Sequence, residues 1–332
     1  MKKKGTLFIF LTALLVNIHS CSSEKVELIT INAEKISGLE VLNDTVFLGK
    51  IVDIDVYNDH FFLLDKPSMH VYELNATSQL VDIHLTQGPG PNEVGNLVNV
   101  SIHDEKIYLL DLNSMSIKSF DFDGNIYLNK KIPHPFTSDF VLNSDYIFYG
   151  NFRDKNPIRR INLKEKDQSI EFGKSRTWPN RSFEAERHLA ITSDQQLVSA
   201  LAYDKPILDL YELDGELITS LDLSNLDLFK YTLEKYDKDI VTKRNAALVV
   251  IQDIGSYKNK VYVLASSFSS ESKNSYNQII ECVISNNEIV PTRIIKLSSS
   301  GYYLSFGVYN EGRNIVGFNV VSNNLEFFKI DN

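Results

Sequence analysis

The chain has 332 residues, 43% of them hydrophobic and 23% charged, with a net charge of −9. That is enough apolar material for a sizeable core within one large domain, and the acidity excludes general nucleic-acid binding, because phosphates would repel the surface. With only Cys21 and Cys282 present, a disulfide framework is excluded as well.

Met1 to Lys4 carries three lysines, and Leu7 to Ile18 is almost wholly apolar. A basic stretch followed by an apolar run of this length predicts a cleavable export signal over residues 1–20. The run is too short for a membrane-spanning helix, which needs about 20 apolar residues. Ile18-His19-Ser20-Cys21 resembles the lipobox of bacterial lipoproteins, with a branched apolar residue, a small residue and then cysteine. The resemblance implies diacylglycerol on the Cys21 thiol and acylation of the new amine, and several acyl chains anchor far more firmly than one. Loss of the three leader lysines takes the net charge to −12. Ser22 is not the aspartate associated with inner-membrane retention, so the expectation is an outer-membrane lipoprotein, on either face, with residues 21–25 as tether and 26–332 as the fold.

From residue 26 onward, strand signals dominate: short runs of Val, Ile, Leu, Tyr and Phe separated by Asn, Asp, Gly and Ser turns. Leu97–His103, Lys106–Leu112, Ser116–Phe122 and Ile126–Ile132 read as four successive strands, with Asp123-Gly124-Asn125 as the last turn. The unit repeats. Phe61-Phe62-Leu63-Leu64-Asp65 matches Ile107-Tyr108-Leu109-Leu110-Asp111, and Pro67-Ser68-Met69 matches Asn113-Ser114-Met115, both at an offset of 46 residues. Weaker second strands follow at Tyr146–Phe152, Gln196–Tyr203, Lys260–Phe268 and Asn314–Val321. Ile207–Leu213, Asp214-Gly215-Glu216 and Leu217–Leu223 repeat the strand, turn, strand pattern. A helix is expected only around Phe229–Lys243, as an insertion between the fourth and fifth units.

Six units are counted, the last with three strands before the chain stops. Val26–Asn32 is expected to supply the fourth, which closes the ring and removes open sheet edges. The predicted fold class is therefore all-β, a six-bladed β-propeller whose last blade is completed by an N-terminal strand. Cys282, within the apolar run Ile279 to Ile284, is expected to be a buried strand residue.

The lipobox, the blade pattern of Ile107–Asn125, and Gly88-Pro89-Gly90-Pro91-Asn92-Glu93 after the first blade together resemble the TolB-like six-bladed propeller lipoproteins, in which the last segment looks like a Gly-x-Gly-Pro-x-Glu loop. The resemblance implies a fold, and a fold does not fix a function. The loop itself reads as a rigid connection between blades: Pro89 and Pro91 remove two amide donors that an anion cradle would use.

Six of the nine arginines lie between residues 153 and 187. Arg176, Trp178, Arg181 and Arg187 are the candidate ligand-binding residues, because arginine pairs in a plane with carboxylate, sulfate or phosphate and tryptophan offers a stacking face to sugars. Asp53, Asp55, His103, Asp139, His188 and Asp253 fall on predicted innermost strands and are the candidate channel-lining residues. No Gly-x-Ser-x-Gly, His-Glu-x-x-His or Cys-x-x-Cys motif occurs, so no catalytic residue, metal ligand or cofactor is assigned. The expected function is a membrane-anchored binding or scaffolding propeller that meets a protein partner or an anionic or glycan ligand. The alternative is an enzyme of lactonase, lyase or sugar dehydrogenase type with a metal-assisted site in the channel.

Overall fold

The computed structural model describes residues 27–43, 46–85, 88, 93–132, 139–151, 155–165, 168–174, 186–230, 232–234, 248–268, 274–297 and 301–330. Two strands precede the first blade, β1 (Ile29–Asn32) and β2 (Glu34–Leu39), followed by a small hairpin of β3 (Val41–Leu42) and β4 (Val46–Phe47). Blade one is β5 (Ile51–Tyr57), β6 (His60–Asp65), β7 (His70–Leu74) and β8 (Leu80–His84). Blade two is β9 (Leu97–His103), β10 (Lys106–Asp111), β11 (Ser116–Asp121) and β12 (Ile126–Lys131). Blade three is β13 (Phe140–Leu142), β14 (Tyr146–Gly150), β15 (Ile158–Asn162) and β16 (Ser169–Phe172). Blade four is β17 (Arg187–Ile191), β18 (Gln196–Leu201), β19 (Ile207–Glu212) and β20 (Leu217–Asp222). Blade five is β21 (Ile251–Tyr257), β22 (Lys260–Phe268), β23 (Asn274–Ser285) and β24 (Glu288–Lys296), and blade six begins with β25 (Tyr303–Tyr309), β26 (Asn314–Asn319) and β27 (Asn324–Lys329). The innermost strands β5, β9, β13, β17, β21 and β25 touch in that order, and β25 touches β5, so the ring is closed.

Within each blade the chain alternates direction, which sorts its connections onto two faces. Tight turns with left-handed residues, such as Asn58-Asp59, Asp104-Glu105 and Asn286-Asn287, lie at one end. Gly124 (φ 82°) and Gly215 (φ 100°) take the positive φ that the Asp-Gly turns require at this same end. The described ends of the longer connections between blades, Leu85, Val94 to Asn96, Ile132, Asp139, Gly173 to Lys174, Glu186, Leu223 to Leu226, Leu248 to Val250, Leu297 and Gly301 to Tyr302, lie at the other. We call these the turn face and the loop face.

The closing strand is not the one expected. Val26 lies outside the described residues, and Ile29–Asn32 pairs in parallel with β24, so that it forms a fifth, outermost strand of blade five. Blade six is closed instead by β2, antiparallel to β27 from Glu34↔Lys329 to Leu39↔Leu325, with a bulge near Ile36. Both segments set apolar residues among polar ones, Ile29 and Ile31 in β1 and Ile36 and Leu39 in β2. Only the register decides between them: Ala33 N–H bonds to Lys296 O (2.8 Å), and Lys35 Nζ then reaches the buried Glu326 (2.6 Å) on the far side of the blade boundary. One extended segment thus straps two blades together.

The repeated aspartate at the end of the second strand has a structural role. Asp65 accepts Lys50 N–H (2.9 Å) and Ser68 Oγ–H (2.8 Å). Its counterpart Asp111 accepts Asn96 N–H (3.1 Å), Asn113 N–H (3.1 Å) and Ser114 Oγ–H (2.8 Å). Each carboxylate ties the turn after its own strand to the chain entering the same blade, satisfying backbone donors that the ladder leaves over. Val94, just past the Gly88 loop, is buried in the apolar cluster between blades one and two. A Cβ on Gly88 would overlap the Glu93 carboxylate, so an acid closes the described part of that loop. Residues 89–92 lie outside the described residues. Residues 227–230 and 232–234 are helical, and the rest of the expected helix at 229–243 likewise lies outside the described residues. Cys282 is buried, as expected of a strand residue, and burial pushes its thiol up to about 12.

In the chain beginning at Ser22, removing everything before Ala33 should lower the melting temperature modestly. Removing everything before Glu40 strips the last blade of its outer strand and should lower it by on the order of 10 °C or abolish cooperative unfolding. Calorimetry of the two truncations checks this, and equal losses would contradict the assignment of β2 as the closing strand.

Candidate functional site

The channel mouth is built from one polar residue per blade: Asp53, Asn99, Asp139, His188, Asp253 and Ser305 surround a cavity of about 190 Å³ at the loop face. Glu186, Tyr203 and Gln252 complete its rim. Five of the six predicted channel residues lie along this axis, Asp55 being deeper. His103 is the exception. It sits at the turn end of β9, with Nε2 3.1 Å from Ser144 Oγ, and does not line the channel.

The hydrogen bonds explain why acids occupy these positions. Asp53 of blade one accepts Val100 N–H of blade two (2.7 Å), Asp139 of blade three accepts Leu189 N–H of blade four (2.7 Å), and Asp253 of blade five accepts Phe306 N–H of blade six (3.2 Å). Ser305 of blade six accepts Ile54 N–H of blade one (3.2 Å) and donates to Asp53 (3.1 Å), which completes the circle. In a second layer, Asp55 accepts Ile102 N–H (2.5 Å). Each innermost strand has no inner neighbour, so its channel-facing amides need such a partner. At four of the six blade boundaries a side chain from the preceding blade supplies it. Blade two departs from the pattern: Asn99 Nδ2 donates to Asp139 Oδ1 (3.1 Å), and its Oδ1 is buried without a partner.

Crowding of acids around a narrow axis changes their ionisation. Burial, followed by the nearby Asp253 charge, holds Asp53 well above the usual carboxylate range. Burial raises Asp55 to about 6 against the lowering effect of its amide bonds. Burial and Asp139 push Asp253 up to about 7, although His188 pulls it down. For His188, burial lowers the pKa, but the facing carboxylate of Asp139, 3.7 Å away, more than offsets this, and the net shift is upward. At the rim, burial and then Glu186 raise Tyr203 to about 12. The mouth can therefore hold protons near neutral pH. Among the described residues, no three His, Cys, Asp or Glu side chains are grouped so as to hold a metal ion.

The arginine candidates divide. Arg176, Trp178 and Arg181 lie outside the described residues. Arg187 is corrected: it is buried, its Nη1 bonded to Ser199 Oγ (3.0 Å) and Asp209 Oδ2 (3.2 Å) and its Nη2 to Lys174 O (2.7 Å). It begins β17, so the strand carries its side chain into the blade, where a buried carboxylate neutralises it. The residues that sequence reasoning missed are Asn99, Ser305, Glu186, Tyr203 and Gln252. Asn99 had a signal, since it follows Asp53 by the repeat's own 46 residues. The others stand in blades where the repeat is too degraded to align.

Two outcomes follow. A carboxylate whose folded pKa is raised binds protons more tightly in the folded state, so its contribution to stability is lost as pH rises from about 4 through the folded value. Asp253→Asn keeps an oxygen acceptor for Phe306 and removes the charge. It should raise the melting temperature at pH 8 by roughly 3 °C and have little or no benefit at pH 5, and a scan at both pH values checks this. Arg187→Met removes the cation that meets the buried Asp209 at 3.2 Å and should cost about 3–5 kcal/mol in chemical denaturation.

Comparison with known proteins agrees with this architecture. Residues 39–200 match a family model described as a six-bladed β-propeller, which takes in blades one to three and enters blade four. No curated protein matches the sequence. A Bacteroides fragilis protein described as exported superimposes with a TM-score of 0.58 at 12% identity, over 92% of this chain and 100% of its own. A catalytically inactive virginiamycin B lyase from Staphylococcus aureus, in complex with quinupristin, gives 0.52 at 11% over 89% and 99%. The WD40 repeats of RRP9 give 0.54 at 9% over 85% and 80%. At these identities the likeness is one of fold. With its closed ring of six sheets and the matched segment within it, the chain is a six-bladed β-propeller protein.

Proposed function

We propose that this protein is a lipid-anchored propeller scaffold of the cell envelope. In this reading residues 1–20 direct export, Cys21 carries the lipid that holds the chain to the outer membrane, and the loop face binds a partner protein or an anionic or glycan ligand. The observation that carries the choice of binding over catalysis is the ring of inter-blade bonds. Asp53, Asp55, Asp139 and Asp253 are all engaged by backbone amides of neighbouring blades, and a group held as a structural acceptor is poorly placed to act as a nucleophile or base. Arg176, Trp178 and Arg181, in the sequence between blades three and four, remain the residues whose chemistry suits an anion or a sugar, and the negative charge of the chain disfavours nucleic acid.

A second reading, an enzyme centred on the channel, draws on the His188 and Asp139 pair and on Asp253, which titrates near neutrality at the mouth. In a metal-assisted lactonase, lyase or sugar dehydrogenase, a divalent ion would have to bind among acids that already serve the ring.

Thermal-shift measurements on residues 22–332 against anionic glycans, uronic acids, sulfated sugars and divalent metals separate the two, because a ligand raises the melting temperature by mass action. A shift with a glycan or anion that is lost in Arg176→Ala/Arg181→Ala supports the binding reading. A shift with metals alone supports the enzyme. Independently, Cys21→Ser should move the protein from the membrane to the soluble fraction and abolish palmitate incorporation. Unchanged labelling would overturn the anchor.

A further inference from the structure

We infer that the propeller hangs from the bilayer by the turn-face rim of blade five and holds its channel mouth and long loops away from the membrane. The inference rests on lipid attachment at Cys21, and the path of β1 supplies the direction.

β1 runs parallel to β24, with Ile29 opposite Arg293 and Asn32 opposite Lys296. Traced backward from Ile29, the chain moves along β24 toward Glu288 and the Asn286-Asn287 turn, that is, toward the turn face. The exit is held in place. Leu28 packs on the apolar cluster of blades four and five, Ile31 and Ala33 pack on that of blades five and six, and β2 is laddered onto β27 directly afterwards.

Lengths decide what the tether permits. Cys21 to Glu27 is six residues, which span at most roughly 20 Å. By the register, Glu27 lies level with Pro291, three residues above the start of β24, or about 10 Å at a strand rise of 3.3 Å per residue. A tether leaving toward the turn face therefore has about 10 Å to spare beyond it. One doubled back toward the loop face would spend about 17 Å of its roughly 20 Å on the five residues from that level to the end of β24, before any turn in the chain. It would have too little left to cross the loops.

Charge determines how the near face meets the lipid. Asp59, Asp104, Glu105, Asp194, Glu288 and Glu311 lie at or beside its turns, against fewer cations such as Lys258 and Arg313. Anionic headgroups repel such a face over about a Debye length, roughly 8 Å at physiological salt. The spare length of the tether matches that gap, so the propeller stands off the surface.

The test uses the full lipidated chain, produced with its own leader and reconstituted into vesicles that carry a headgroup-attached energy-transfer acceptor. Donor dyes are placed one at a time at Ser285→Cys and Ser144→Cys on the turn face, and at Val321→Cys and Lys205→Cys on the loop face. All four positions are exposed, and the native Cys282 is buried. The expected result is transfer at least twice as efficient from both turn-face positions as from both loop-face positions. Equal transfer, or the reverse order, overturns the orientation while leaving the anchor intact. If the wild-type chain does not float with the vesicles, the Cys21 anchor itself fails and the orientation falls with it.

Discussion

An innermost propeller strand has a neighbour on one side only, and its backbone amides face a narrow channel. That single constraint organises the middle of this molecule. Asp53, Asp139, Asp253 and Ser305 each accept an amide from the next blade round the ring. A buried amide without a partner costs about as much as a lost hydrogen bond, and an interior acceptor that bridges two sheets also fixes their mutual rotation. The acids that look like a reaction centre are thus, in the first place, the joints of the ring.

The arrangement has an electrostatic consequence. Carboxylates brought together around one axis cannot all ionise freely, so Asp53 and Asp253 are pushed upward together, and the only basic side chain among the six mouth residues, His188, is drawn toward its charged form by Asp139. Two of the acids that set the blades, Asp53 and Asp253, are therefore pH-sensitive as well. The opposite solution appears in blade four, where Arg187 and Asp209 are both fully enclosed and neutralise one another with the help of Ser199, Ser220 and Tyr211.

Closure of the ring depends on a strap. β1 and β2 are separated by Ala33 alone yet belong to different blades. A chain that closes a propeller with its N-terminus ties first to last. Here the same segment also covers the outer edge of the preceding blade, so any pull on the N-terminus is resisted by two ladders in series. This couples the fold directly to the anchoring proposed for Cys21.

Much of the architecture was legible in the residues themselves. The offset of 46 between Phe61–Asp65 and Ile107–Asp111, the Asp-Gly turns and the alternation of apolar residues are local signals, and local signals are enough to define strands and to count blades. Where two candidates shared the same local pattern, the sequence could not choose. Residues 29–32 and 34–39 are both strand-like, and only hydrogen-bond register against β24 and β27 assigned each to its blade. The same holds for side chains. Arg187 read as a ligand residue because of its company in the chain, while its partner Asp209 lies 22 residues away and meets it only across two strand pairings. Composition and periodicity determined the blades, because strand formation depends on neighbours in sequence. Which acids meet, which amides they cap and which arginine is buried were decided by the closed ring, because those contacts exist only after distant strands have been brought side by side.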